Sequence, residues 1–128
     1  MTISVAHRAA RNAASIALAD AVAGASSVRF YDAQGGVLLG QRTLAKPCGS
    51  INAEGRIVLI AAAAQDLVQA SGAATWAAWC DGAGTPIFWG AVTDEAGAGP
   101  FKLRGTSGTS GTMLYAGGAV LLTGALLG

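Results

Sequence analysis

The spacing of the hydrophobic residues changes near Gly24. Residues 5–23 are rich in alanine and contain no proline, which favours an α-helix that ends at this glycine. The apolar stripe predicted for this helix comprises Val5, Ala9, Ile16, Ala19 and Ala23. The polar residues predicted to lie off the stripe are Arg8, Arg11, Asn12 and Ser15. The N-terminal segment is therefore predicted to be an amphipathic helix.

From Val28 onward, β-forming residues alternate and turn residues separate them. In the first such segment, Val28 and Phe30 fall on one face of a strand, and Arg29 and Tyr31 fall on the other. Pro47 and Gly49 are predicted to end the second strand. The positions of the turn residues predict strands over residues 28–32, 37–44, 51 with 56–60, 75–81, 87–93, 101–104, 113–115 and 119–122. Residues 61–70 fit either a short helix or an extended loop.

About seven or eight short antiparallel strands with frequent turns predict a mainly β fold, either a β-sandwich or an open barrel, with one N-terminal α-helix. We divide the chain into a helical arm, residues 1–24, and a β domain, residues 25–128. The helix is expected to cover an open side of the sheet or to reach a neighbouring molecule.

The chain carries little charge. Of its 128 residues, 52% are hydrophobic and only 12% are charged, about half the charged share of an ordinary soluble domain. So few charges cover the surface of a lone monomer poorly, which indicates burial in an assembly. An alanine-rich host genome is the alternative explanation. The net charge of +1 gives no reason to expect nucleic-acid binding, and no segment has the length of a membrane span.

The N-terminal segment has a second interpretation. Arg8 and Arg11 precede the alanine-rich residues 13–25, and this order resembles a signal peptide. Asp20 interrupts the apolar part, and the arginines lie deep in the segment. We therefore favour the helix, and keep export as an alternative.

The residues that carry most enzyme chemistry are sparse. His7 is the single histidine, and Cys48 and Cys80 stand far apart without a metal-ligand spacing. The adjacent acids Asp94 and Glu95 fit a solvated turn better than a calcium site. The glycine, serine and threonine residues 105–111 lack the lysine of a phosphate loop and the pattern of a serine nucleophile. The sequence predicts no catalytic residue, no cofactor and no metal.

The segment with the three tryptophans is the most informative part of the β region. Alternation places Trp76 and Cys80 on one face of their strand and Trp79 on the other, while Trp89 lies on the next strand. One tryptophan is expected to fill the core, so the opposite one needs cover elsewhere. A contact between subunits is favoured over an aromatic platform for a sugar.

Several segments in this order resemble a group of small virion proteins of tailed bacteriophages. The segments are the helix at 11–21 (RNAASIALADA), the strand at 28–31 (VRFY), the pieces 79–87 (WCDGAGTPI) and 90–92 (GAV), and the late stretch 111–120 (GTMLYAGGAV). The first hairpin is shorter than the group's common pattern, and Cys80 stands in the tryptophan strand. These departures leave head and tail locations open.

The resemblance implies a non-enzymatic structural protein of the virion, assembled in the host cytoplasm. We favour a capsid decoration or minor capsid protein that forms a homo-oligomer, with a trimer as the working prediction, and cements neighbouring subunits of the major capsid protein. A tail component in a tube, fibre or baseplate is the first alternative, and a secreted carbohydrate-binding module is the second. The predicted interface residues are Arg8, Arg11, Trp79, Tyr115, Leu121 and Leu122.

Overall fold

A computed structural model describes residues 2–62, 66–94, 99–104, 113–117 and 119–127 of the chain, with the side chains of residues 94, 104, 113 and 119–127 left undescribed. This part of the chain forms one helix and ten strands. The elements are α1 Val5–Asp20, β1 Ser27–Tyr31, β2 Leu38–Ile51, β3 Ile57–Ala61, β4 Asp66–Leu67, β5 Gly72–Ala73, β6 Trp76–Cys80, β7 Pro86–Asp94, β8 Phe101–Arg104, β9 Met113–Leu114 and β10 Ala119–Leu127.

The main sheet curls into a half-barrel. Its strands follow the order β3-β2-β1-β6-β7-β8-β10-β4, and β5 pairs with β9 in a separate two-stranded sheet. The long β10 runs along β8, while its last residues Leu126 and Leu127 pair with Val58 and Ile57 of β3. One strand thus links the two sides of the curled sheet.

The prediction of a mainly β fold with an open barrel and one N-terminal helix is confirmed. The expectation that all strands run antiparallel is wrong for one pair, because Val92 to Asp94 of β7 lie parallel to Phe101 to Leu103 of β8. An added Cβ on Gly99 would lie 2.9 Å from Thr93 Cγ2, so the chain has already returned alongside β7 before β8 begins.

The core lies on the inner face of the sheet. Phe30, Trp79 and Phe101 are fully buried there, and the Trp79 ring stacks on Phe88 of the neighbouring strand with centroids 5.8 Å apart. The Trp79 indole N–H donates a 2.8 Å hydrogen bond to Ser26 Oγ, so its polar atom is satisfied inside the core.

The helix packs against the sheet through a different stripe from the predicted one. Ile16 and Ala19 face the sheet as expected, but Val5 is exposed and Asn12 is fully buried. The Asn12 Nδ2 donates to the Gly55 carbonyl oxygen over 2.8 Å in the turn between β2 and β3. This hydrogen bond satisfies the Nδ2 group and accounts for a polar residue at the contact.

The turn signals in the sequence correspond to turns in the structure, with one exception. The hairpins β1–β2, β2–β3 and β6–β7 have the predicted turns. Pro47 and Gly49 do not end β2, which continues to Ile51; they fall where its pairing with β3 shifts register, between Leu44 and Gly49. The predicted loop 105–111, Glu95, and part of the ambiguous segment 61–70 lie outside the described residues.

Candidate functional site

The outer face of the sheet carries a group of aromatic side chains. Tyr31 of β1 lies opposite Trp76 of β6, and Trp89 of β7 lies opposite Ala78 of β6. Alternation along these strands turns the three rings away from the core, because Phe30, Ala77 and Trp79 occupy the inner face. Trp89 is 59% exposed, so its ring is largely in solvent.

These rings line an open groove of about 420 Å³. Ala78 forms the floor, since its small side chain leaves space between the larger ones. The turn after β1 and the start of β7 supply the rest of the wall. Among the residues that the structure describes, the lining consists of Tyr31, Gln34, Gly35, Gly36, Trp76, Ala78, Pro86 and Trp89, none of which is charged.

The turn that forms one wall of the groove is held by its own hydrogen bonds. Asp32 Oδ1 accepts the Val37 N–H over 2.8 Å, and the Gly36 N–H donates to the Ala33 carbonyl oxygen over 2.9 Å. Gly35 has a φ of +75°, which glycine adopts without strain. The wall is therefore shaped before any ligand arrives.

The predicted interface residues lie in different environments. The prediction of an interface contact is wrong for Trp79. It is fully buried in the core and offers no surface to a partner, because its face of β6 is the inner one. The tryptophan exposed for contact is Trp89, which the sequence could not distinguish because both faces of the hairpin carry a tryptophan.

The two arginines of the helix also differ. Arg8 is half-buried, and its Nη1 donates to the Glu54 carbonyl oxygen over 3.0 Å, so it helps to hold the helix on the β2–β3 turn. Arg11 is exposed and lies on the outer side of the helix with Leu18, two turns further on. Arg11 thus remains available for contact, whereas Arg8 has a structural role.

The C-terminal candidates lie on two elements. Tyr115 follows β9 and is more than half exposed. Leu121 and Leu122 belong to β10, where they pair with Arg104 and Leu103 of β8; their side chains lie outside the described part of the structure.

Other large apolar side chains are exposed at separate places. Val58 and Ile60 point outward from β3, being 38% and 41% exposed. Leu18 on the helix and Leu67 on β4 are each more than half exposed. The protein therefore presents apolar groups on its helix, on β3 and around the aromatic groove.

Most of the described acids hold the backbone together. Asp20 Oδ2 accepts the Cys48 N–H over 3.1 Å and so joins the end of the helix to β2. Asp66 Oδ2 accepts from both Arg42 Nη1 and the Thr43 N–H at 3.0 Å, which fixes β4 against β2. Because the partners are far apart in the chain, this pairing could not be predicted from the sequence.

Asp81 plays a similar part in the β6–β7 turn, where its Oδ1 accepts the N–H groups of Ala83 and Thr85. His7 is exposed in the first turn of the helix, and its own N–H donates to Ser4 Oγ at the N-cap. Within the described residues, no three His, Cys, Asp or Glu side chains are grouped to hold a metal ion. No helix in the same part of the chain has the length and apolar character to cross a membrane.

Both cysteines are buried free thiols. Burial, with the nearby Asp20 carboxylate, raises the pKa of the Cys48 thiol to about 12. Burial also raises the pKa of Cys80. Because the thiolate is the reactive form, neither cysteine is activated as a nucleophile.

Comparison with known proteins finds no matching family model, no matching curated protein and no matching solved structure. The resemblance to phage virion proteins therefore stays a prediction from the sequence.

Proposed function

We propose that this protein is a non-enzymatic structural component of a tailed-phage virion, a capsid decoration or minor capsid protein that acts as a homo-oligomer on the head. The order of segments along the chain, which resembles that of the phage virion proteins, is the first reason for this proposal. The observation that carries it is the exposure of large apolar side chains on separate elements of a chain that is only 12% charged.

A protein that bridges neighbouring subunits needs several contact points that face in different directions. Leu18 with Arg11 provides one on the helix, Val58 with Ile60 provides a second on β3, and Tyr115 provides a third. Interface centres are poor in charge and rich in apolar and aromatic groups, as these positions are. A compact β domain with an attached helix would hold the contact points at fixed distances.

The mechanism follows from mass action. A protein that binds the assembled shell, and not its separated subunits, stabilises the shell in proportion to the logarithm of its free concentration. Self-association adds to this, because a second bound copy is already close to its own site. No catalytic group is required, which agrees with the structural use of Asp20, Asp66 and Asp81.

A tail location is the alternative, and it would use strand edges that pair with the next copy. Such stacking favours a long exposed edge. In the described part of the sheet, β10 pairs along β8 and with the first residues of β3, and the neighbouring β4 has only two residues. The short available edges favour the head over the tail.

Gold-labelled antibody imaging of intact particles, from a lysate that contains this protein, tests the proposal. We expect label spread over the head. Label confined to the tail would replace the decoration function with the tail alternative. Particles without label would refute a virion function altogether.

A further inference from the structure

The aromatic groove is built on the outer face of the sheet, where the core does not need it. β6 and β7 bury Trp79 and Phe88 on the inner face, and the same two strands carry Trp76 and Trp89 on the outer face. An indole ring that is 59% exposed contributes little to folding, although it has a large apolar surface. The outer rings are therefore available to bind something else.

The chemistry of the lining restricts what that is. The described lining residues carry no charged side chain, so they offer no counter-ion to a phosphate, a carboxylate or an ammonium group. Their polar groups are those of Tyr31, Gln34 and the two indole rings, together with the backbone of the turn. A volume of about 420 Å³ lies in the range of small-ligand sites. This lining favours a neutral ligand with apolar faces and a polar rim.

We propose that this groove binds a neutral saccharide chain. A pyranose ring presents C–H groups on its faces, which pack against the electron-rich faces of aromatic rings. Its rim carries hydroxyl groups, which both donate to and accept from amide, phenol and indole groups. The proposal rests on the groove alone, and stands whether the protein belongs to the head or the tail of a virion.

The nearest cation on the same face does not change this chemistry. Arg29 lies opposite Ala78, but its guanidinium is close to the β6–β7 turn: an added Cβ on Gly84 would be 2.9 Å from Arg29 Nη2. The side chain is not part of the groove lining. An anionic ligand is therefore not favoured.

A proline-rich peptide also docks in aromatic-lined grooves. Proline has no backbone N–H, so a polyproline segment brings few hydrogen-bond donors. The groove offers acceptors in the Gln34 amide oxygen and the carbonyl groups of the turn, which the hydroxyl groups of a saccharide can satisfy. This chemistry favours the saccharide.

Titration of the full chain with cellohexaose, maltohexaose and the hexamer of N-acetylglucosamine, followed by tryptophan fluorescence and calorimetry, tests the proposal. We expect saturable binding of at least one of the three. Trp89→Ala should weaken that binding at least tenfold, because the exposed ring is removed from the groove. Leu67→Ala is the control, since it removes an exposed apolar side chain outside the groove that is not one of the proposed contact points, and it should leave binding unchanged.

Three results would overturn the saccharide proposal. One is the absence of saturable binding by all three sugars up to millimolar concentration. Another is binding that Trp89→Ala leaves unchanged while the variant keeps its fold by circular dichroism. The third is binding of a decaproline peptide in place of the sugars, which would assign the groove to peptides.

Discussion

Asn12 joins the helix to the β domain through one buried amide. Its Nδ2 donates to the Gly55 carbonyl oxygen, and Asn12 is fully buried, so the contact is shielded from solvent. The apolar pattern of the helix places Asn12 outside the stripe. The hydrogen bond that offsets the burial of its Nδ2 group is formed with Gly55, which lies more than forty residues away in the chain. Residue roles of this kind depend on tertiary contacts, so the sequence alone does not predict them.

Replacing Asn12 with alanine should lower the free energy of unfolding by about 1–3 kcal/mol, because the Gly55 carbonyl oxygen loses its donor in a buried place. Urea unfolding followed by circular dichroism measures the change. Arg11→Ala is the neighbouring control, and as an exposed position it should change stability by less than about 0.5 kcal/mol. Equal effects of the two variants would contradict this role of Asn12.

The buried Cys48 thiol gives the protein an alkaline pH dependence. Its pKa is raised from the ordinary 9.0 to about 12 in the folded state, so the stability that the neutral thiol contributes is present below pH 9 and is lost as the pH rises toward 12. We expect the free energy of unfolding to fall by up to about 1.4 kcal/mol per pH unit in this range from this thiol.

Comparison with Cys48→Ala isolates that contribution, because burial raises the pKa of the Cys80 thiol as well. The variant should start from a lower stability and show a shallower decline with pH. Parallel curves for the two proteins between pH 9 and 10.5 would show that Cys48 does not cause the decline.

At the level of elements, the turn between β2 and β3 holds the helix. Asn52 Oδ1 accepts the N–H groups of Glu54 and Arg56, and Gly55 has a φ of +79°. The helix backbone passes so close that an added Cβ on Gly55 would lie 2.7 Å from the Val5 carbonyl oxygen. The glycine therefore serves both the turn and the helix contact.

Gly55→Ala should destabilise the protein more than Gly35→Ala does. Both glycines have a positive φ, for which an added side chain costs about 1–2 kcal/mol. At Gly35 nothing lies within 4 Å of the added carbon, so only this cost applies. At Gly55 the clash with the helix adds about 1–3 kcal/mol. Thermal and urea unfolding of the pair would measure the difference, and equal losses would refute the close approach.

The sequence predicted the elements whose causes are local, and failed where the cause is remote. The turns after Tyr31 and before Ile57 contain glycine and polar residues that shape them directly, and they lie where the pattern placed them. The parallel pairing of β7 with β8 depends on how the chain returns through Gly99 and Pro100. The residue pattern within either strand does not predict that path, and so does not predict the parallel pairing.

The candidate site shows the same division. Alternation correctly separated Trp76 from Trp79, so the sequence predicted that one ring of β6 would face the core. Which ring that would be depends on the direction in which the sheet curls. The groove itself combines β1, β6, β7 and the turn after β1, and their neighbourhood is a property of the topology.

For the whole molecule, the decisive property is an apolar surface with little charge around it. Val58 and Ile60 stand side by side on the outer face of β3, away from the core residue Ile57. If this face is a contact between copies or with the shell, charges placed on it should prevent the contact without unfolding the protein.

The double variant Val58→Lys with Ile60→Lys should keep a thermal stability near that of the wild type, and should lose self-association in sedimentation velocity experiments over a range of concentrations. Gln69→Lys with Ala73→Lys adds the same charge at exposed positions elsewhere and should associate normally. Association by the double variant at wild-type strength would exclude the β3 face as the contact.

The position of β10 has a consequence for how the protein is made. On the side of β3 away from β2, Ile57 and Val58 pair with residues of β10 about seventy positions later in the chain, and pairings of such long range form slowly. While the ribosome is still making β10, the outer edge of β3 has no neighbour from its own chain and can pair with a strand of another. Expression at low temperature, which slows synthesis, should therefore raise the fraction of soluble protein. Rapid synthesis should instead divert nascent chains into aggregates joined through β3.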